Sequence, residues 1–179
     1  RIDEDSLDPE DNTILQTITG WASGISRGPA SATDETSQTL QFNVVAVQTG
    51  LQTGNLSFVS PPAIDPATGN LTYQTTRDTN GVRVFRVTLQ DSGSGGFPNV
   101  NMSQTETLTI TVNAVNDPPS FTIAGTSQTV NEDAMLQNVP NFVTNISRGA
   151  ATPSDEDGQS LAFNVTTTIA GTTTDASAA

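Results

Sequence analysis

Two short acidic segments hold the residues of this sequence that are best suited to chemistry. SDEDGQ places Asp155 and Asp157 two residues apart, and AVNDPPS places Asn116 beside Asp117. Carboxylates, amide oxygens and main-chain carbonyls are the ligands that Ca²⁺ prefers, six to eight of them at about 2.3–2.6 Å. The net charge is −13, so a bound divalent cation is one way to relieve self-repulsion, and screening by salt is the other.

The residue types that are missing exclude much enzymatic chemistry. The chain has no Cys, His or Lys, which excludes Cys/His zinc sites, Ser-His-Asp and Cys-His nucleophiles, Schiff bases and disulfides. Paired carboxylates can hydrolyse glycosides, but nothing places an acid and a nucleophile in a cleft. One Trp and one Tyr offer little platform for a sugar, which disfavours a carbohydrate-binding or hydrolytic accessory domain. We therefore expect a protein that is not an enzyme.

The composition also limits the partners. Phosphate binding needs clustered cations, and six basic residues against 19 acidic ones make nucleic acid an unexpected partner. The sequence has no run of 18 apolar residues, so we expect no membrane insertion.

A long segment of the sequence is repeated. ISRGPASATDETSQTLQFNV begins at Ile25 and ISRGAATPSDEDGQSLAFNV begins at Ile146, an offset of 121 residues (146 minus 25) without a gap. Apolar positions are kept in kind, as where Trp21 corresponds to Phe142. This is typical of a duplicated core. The repeat divides the chain into an acidic N-terminal segment (1–8), a first repeat (9–118) and the first half of a second, incomplete repeat (119–179).

Alternating apolar and polar residues predict strands throughout the first repeat. The segments are TLQFNVVAV, GNLTYQT, VRVFRVTLQ and ETLTITVNAV, and they are separated by the turn segments DPATGN, TNG, DSGSGG and NDPPS. We expect at most a turn or two of helix. The pattern predicts an all-β protein with an antiparallel β-sandwich.

Five segments, in order along most of the chain, resemble the cadherin-like tandem repeats of large bacterial surface proteins. ITVNAVNDPPSF is similar to the ending of a cadherin repeat, VNEDAMLQ to its opening, and SDEDGQSLAFNV to its D-x-D stretch. IDPATGNLTY and RDTNGVRVFRVTLQDSG are similar to two further motifs in the first repeat. The resemblance implies seven-stranded Greek-key sandwiches in tandem, with calcium at the junctions.

Carried over position by position, the resemblance implies one set of calcium ligands. They are Asp11 (or Glu10), Asp78, Asn116, Asp117, Asp155 and Asp157. Each has a simpler alternative: a solvated loop for Asp155 and Asp157, an Asx-turn for Asn116 and Asp117, and a β-turn for Asp78. Ala114 and Pro118 replace two ligands of the family pattern, so we expect fewer ions per junction, about one.

The leading functional expectation is a structural or adhesive module of an extracellular or cell-surface protein, with calcium stiffening the junction. Its expected partners are neighbouring repeats, copies of itself, and a cell-surface or matrix ligand. The alternative is a subunit of an extracellular filament or matrix polymer. In that case strands from a neighbouring copy would complete the half repeat, whose sheet edges and apolar face would otherwise be open.

Overall fold

The chain folds into two compact units, Arg1–Val115 and Asn116–Ala179. The computed structural model describes residues 2–3, 15–29, 31–48, 50–96, 99–149, 155–169 and 172–176. Helix within these ranges is limited to two 3₁₀ helices, Thr33–Glu35 and Asp155–Gly158. None of the helical segments described reaches the length and hydropathy that a membrane crossing requires. The predicted all-β class is confirmed.

Unit 1 contains two sheets. The larger has the strand order β1-β8-β7-β3, with β4 also pairing with β7, and the smaller has the order β2-β6-β5. All pairs are antiparallel except β1 with β8. The strands are β1 (Ile2–Asp3), β2 (Gln16–Ile18), β3 (Leu40–Ala46), β4 (Thr53–Gly54), β5 (Phe58–Ile64), β6 (Leu71–Thr75), β7 (Gly81–Asp91) and β8 (Glu106–Asn113).

The core of unit 1 lies between these two sheets. Ile64, Leu71 and Tyr73 of the smaller sheet are buried in one cluster with side chains of β7 and β8 in the larger sheet. The ring of Phe58 in β5 meets the ring of Phe85 in β7 edge-on, at 5.7 Å between centroids. Unit 1 is therefore an antiparallel β-sandwich, as predicted, whereas its Greek-key connectivity stays a prediction.

The period-two alternation produced the strands that it predicts. In β8, Leu108, Ile110 and Val112 are buried while the residues between them are more exposed. The strand β5 is not predicted by the alternation of apolar residues, and Pro61 and Pro62 lie inside it. Proline cannot donate to a ladder and is confined to edges and bulges. The strand β5 is an edge strand, and its register with β6 shifts on both sides of Ser60.

Unit 2 contains two antiparallel pairs, β9 (Ser120–Ile123) with β10 (Val143–Ser147), and β11 (Val165–Ile169) with β12 (Thr172–Ala176). The repeat predicts a strand through Leu161 and Phe163, as in β3, but β11 begins only at Val165. In unit 1, β3 pairs with β7, and the described residues of unit 2 include no counterpart of β7. Within the residues that the structure describes, no strand pairs with the segment just before Val165.

The turn between β5 and β6 is fixed by Asp65. Its carboxylate accepts hydrogen bonds from the Ala67 main-chain N–H (2.8 Å) and the Thr68 hydroxyl (2.9 Å). Both bonds favour the ionised form of the carboxyl group. They therefore lower the pKa of Asp65 below its ordinary value of 3.8, and the bond from the Ala67 N–H has the larger effect.

We expect the Asp65 turn to make unit 1 less stable in acid. A pKa that is lower in the folded state contributes stability above the unfolded pKa, and that contribution is lost as the pH falls through the folded value. The wild type should therefore exceed Asp65→Asn in stability at pH 6, and the difference should shrink below pH 4. Fluorescence of Trp21, the single tryptophan, during urea unfolding measures this. A difference that does not change with pH would contradict it.

Candidate metal and linker site

The Ser-Arg-Gly part of the doubled segment folds in the same way in both units. Ser26 Oγ donates to the Gly28 carbonyl (2.6 Å) and accepts from the Gly28 N–H (3.2 Å). Ser147 and Gly149 form the same two bonds at 2.9 and 3.2 Å. Each Ser-Arg-Gly segment is thus held as the same tight turn.

An arginine joins each Ser-Arg-Gly turn to the end of a 3₁₀ helix. Arg27 Nε donates to the Gln38 carbonyl, and Arg148 Nε donates to the Gln159 carbonyl. The Gln159 N–H in turn donates to the Glu156 carbonyl at 2.9 Å, and unit 1 has the equivalent bond to Glu35 at 3.0 Å. The repeated sequence therefore forms the same local structure twice. We term it the frame: a Ser-Arg-Gly turn hydrogen-bonded through its arginine to the segment that follows an acidic 3₁₀ helix.

In unit 2 this frame holds the segment Asn116–Asp117, which we term the linker. The main-chain N–H of Asp117 donates to Glu156 Oε1 at 3.1 Å, and Gln159 Nε2 donates to Asn116 Oδ1 at 2.9 Å. The structure thus brings together the two acidic segments that the sequence singled out.

The acid that contacts the linker is the central one of the DED triplet. The side chain of Glu156 is only 1% exposed, whereas Asp155 and Asp157 are exposed. A buried carboxylate is stable only where it is hydrogen-bonded, and the linker N–H supplies one such bond. Glu156 and Gln159 were not predicted as site residues.

A glycine makes room for the linker. An ideal Cβ built on Gly149 would lie 2.5 Å from Cβ of Asp117, closer than two carbon atoms can approach. The main chain of the Ser-Arg-Gly turn therefore passes directly beneath Asp117, and a side chain at position 149 would displace the linker.

In unit 1 the same frame surrounds a groove of about 380 Å³. Glu35, the counterpart of Glu156, directs Oε2 against Gly28, where a Cβ would collide with it. Glu35 Oε2 and Gln38 Oε1 are buried, and neither has a hydrogen-bond partner within the part of the chain that the structure describes. The frame is thus repeated, and among the residues that the structure describes it contacts a linker in unit 2 only.

The remaining predicted ligands lie elsewhere. Asp78 belongs to unit 1 and has a left-handed backbone (φ 57°), which fits the β-turn alternative, and its carboxylate is 3.4 Å from Arg77 Nε. Asp11 and Glu10 lie outside the described residues. Among the residues that the structure describes, no three acidic side chains are close enough together to hold a metal.

The donor set at the linker of unit 2 is compatible with a hard cation. Asp155 and Asp157 present exposed carboxylates on either side of Glu156, and Asn116 and Asp117 add amide, carboxylate and main-chain oxygens. All are oxygen donors, which suit Ca²⁺ and not a softer metal. Glu156 Oε1 accepts from Asp117, so its part in the site is to hold the linker.

The sheets and core define an all-β protein whose first unit is an antiparallel sandwich. Comparisons of the chain with protein families, curated proteins and solved structures found no match. The resemblance to cadherin-like repeats therefore rests on the sequence motifs alone.

Proposed function

We propose that this chain is a non-enzymatic structural or adhesive module of an extracellular repeat protein, and that Ca²⁺ binds at the linker of unit 2 and stiffens the junction. One observation carries the proposal. The linker lies against the 3₁₀ helix of the DED triplet, and Asp117 and Glu156 are joined directly. An ion that binds the docked linker better than the undocked one stabilises the docked form by linkage.

In this proposal the exposed carboxylates of Asp155 and Asp157, with oxygens of Asn116 and Asp117, hold the ion. Asp78 and Asp11 remain predicted ligands from unit 1. Calcium supplies charge neutralisation in a strongly acidic chain, and it carries no chemistry on a substrate. Cell-surface or matrix ligands and neighbouring repeats remain the proposed partners.

Calcium should raise the melting temperature of the full chain and protect the linker amides from exchange. An ion at 100 times its Kd adds about 2.7 kcal/mol to the free energy of unfolding of the region it binds. We expect the double substitution Asp155→Asn with Asp157→Asn to abolish the effect. Calorimetry and amide exchange, with and without EGTA, measure it.

Asp34→Asn is the matched control for this test. It changes the counterpart of Asp155 in unit 1, where Thr36 stands in place of the second aspartate. This variant should keep the full calcium response. If EGTA changes neither the melting temperature nor the exchange of the wild type, the calcium proposal fails.

The exposed apolar surface of unit 2 favours a second candidate, a filament or matrix subunit completed by strands of another copy. Trp21, Phe42 and Val44 pack against the core of unit 1. Their counterparts Phe142, Phe163 and Val165 are 37%, 46% and 58% exposed. Strands equivalent to β5–β8 would cover this face.

The pair Phe42→Ala and Phe163→Ala tests this second candidate. Phe42→Ala should destabilise unit 1 by about 2 kcal/mol or more, because it removes an aromatic side chain from a packed core. Phe163→Ala should cost the monomer less, because Phe163 is 46% exposed and its ring meets only that of Phe121 edge-on at 5.4 Å among the ring contacts described; such a pair contributes about 0.5–1.5 kcal/mol. If copies complete one another, the wild type should associate as its concentration rises, and Phe163→Ala should weaken that association at least tenfold. Sedimentation that shows a monomer at every concentration would exclude completion by copies.

A further inference from the structure

The groove in unit 1 offers hydrogen-bonding groups that match a particular kind of peptide. Glu35, which lines the groove, has in Oε2 a buried acceptor without a partner among the described residues. Leaving such a group unsatisfied destabilises the fold, and more so when the group is charged. A ligand that donates N–H groups to this groove would recover that cost.

Unit 2 shows what such a ligand looks like. There the carboxylate of the equivalent glutamate receives a main-chain N–H from Asp117, and the equivalent glutamine is hydrogen-bonded to the side chain of Asn116.

The glycine of each turn supports the same conclusion. A Cβ on Gly149 would first meet atoms of Asp117. A Cβ on Gly28 would first meet the carboxylate of Glu35. Glu35 thus covers the glycine that the linker covers in unit 2. Moving this carboxylate off Gly28 would both open the place for an aspartate and turn the carboxylate toward an incoming N–H.

The composition of the groove argues against other ligands. Glu35 at its centre disfavours a free anion, which has no N–H to donate to the carboxylate. A cation would lack the second aspartate, because Thr36 stands where unit 2 has Asp157. An extended peptide can donate a main-chain N–H to Glu35, as Asp117 does to Glu156 in unit 2.

We propose that the groove of unit 1, formed by the Ser26–Gly28 turn and Glu35, binds an extended Val-Asn-Asp-Pro segment from the linker of a neighbouring repeat. The occupant has the sequence of residues 115–118, and it is a linker that is not docked against a glutamate of its own. A second copy of this chain is not the source, because its Asn116 and Asp117 already contact Glu156 and Gln159. The inference rests on the tandem-repeat part of the proposed function and does not require calcium.

The test uses the full chain, labelled with ¹⁵N, and the capped peptide Ala-Val-Asn-Asp-Pro-Pro-Ser in EGTA. We expect saturable shifts of the Gly28 amide. The control peptide Ala-Val-Asn-Pro-Pro-Pro-Ser replaces the aspartate by proline and so lacks the N–H that Glu35 would accept. It should bind at least tenfold more weakly.

Two variants locate the binding. Gly28→Ala should block the peptide by filling its place over the turn, and Glu35→Leu should weaken it at least tenfold by removing the acceptor. Fluorescence of Trp21 verifies that unit 1 remains folded in each. Equal binding of the two peptides, or shifts that map outside the groove, would overturn the proposal. Chemical-shift changes of the Gly28 amide that grow with protein concentration in the absence of peptide would overturn the proposed source of the ligand. They would show that a second copy of this chain occupies the groove.

The outcomes separate this inference from the calcium proposal. All peptide measurements are made in EGTA, so failure of the peptide to bind leaves the calcium response of unit 2 to be judged by itself. If calcium has no effect on the chain but the peptide binds, the result supports the peptide-binding groove of unit 1 and not the calcium site of unit 2.

Discussion

Glu156→Ala is expected to release the linker from unit 2. The Glu156 carboxylate is buried and accepts the Asp117 N–H at 3.1 Å. Hydrogen bonds to charged groups contribute about 1.5–3 kcal/mol. Loss of this bond should therefore lower the exchange protection of the Asp117 amide roughly ten- to hundredfold, since 1.4 kcal/mol is a factor of ten. Hydrogen exchange read by NMR, in EGTA, measures the change directly.

The neighbouring acids provide the controls for Glu156. Asp155→Asn and Asp157→Asn change exposed side chains on the same 3₁₀ helix, and exposed substitutions usually change stability by less than about 0.5 kcal/mol. Protection of the Asp117 amide should stay within about threefold of wild type in both. Glu156→Gln keeps an oxygen acceptor without charge and should fall between wild type and alanine. Should either aspartate variant release the linker as fully as Glu156→Ala, the buried glutamate does not hold it.

Calcium then separates the roles of the three acids. If the ion binds the exposed aspartates, Asp155→Asn with Asp157→Asn removes the calcium response while the linker still docks in EGTA. Glu156→Ala instead removes docking in EGTA and weakens the calcium response only as a consequence. The triplet would thus combine a metal-binding pair with a linker clamp, which explains why its central residue differs in type from its flanks.

The sequence predicted β3, β6, β7 and β8 of unit 1 because their apolar residues alternate, and alternation follows directly from one buried face. It could not predict β5, whose two prolines are tolerated only at an edge that the fold creates. Nor could it place the start of β11, because a strand needs a partner, and the partner of β3 comes from β7. Local pattern fixes which face of a strand is apolar but not which strand pairs with it.

The candidate site was half predictable for a similar reason. Carboxylates two residues apart are visible as letters, so Asp155 and Asp157 were found. Glu156 was not predicted, because its partner is a main-chain N–H. Every residue except proline carries this group, so the residue types in the sequence do not identify the partner. A signal did exist in the two copies. Ser26, Arg27, Gly28, Glu35 and Gln38 all recur unchanged 121 residues later, and these are the residues of the shared frame.

Leu71→Ala is expected to be the most damaging single change in unit 1. Leu71 is 0% exposed, and it lies in β6, the central strand of the smaller sheet, facing the larger sheet. Burial of leucine at such a site contributes through both transfer and packing, and truncation to alanine costs about 2–5 kcal/mol. The total free energy of unfolding of a domain of this size is about 5–15 kcal/mol, so the variant should lose a large part of its stability.

Thermal and urea unfolding followed by Trp21 fluorescence measure the loss at Leu71, because Trp21 packs against the same core. At roughly 4–8 °C per kcal/mol, the melting temperature of unit 1 should fall by at least about 10 °C. Leu51→Ala is the control, since Leu51 is 61% exposed and should cost about 0.5 kcal/mol or less. Equal losses for the two leucines would contradict the sandwich, because only a core between two sheets makes Leu71 the more costly residue to truncate.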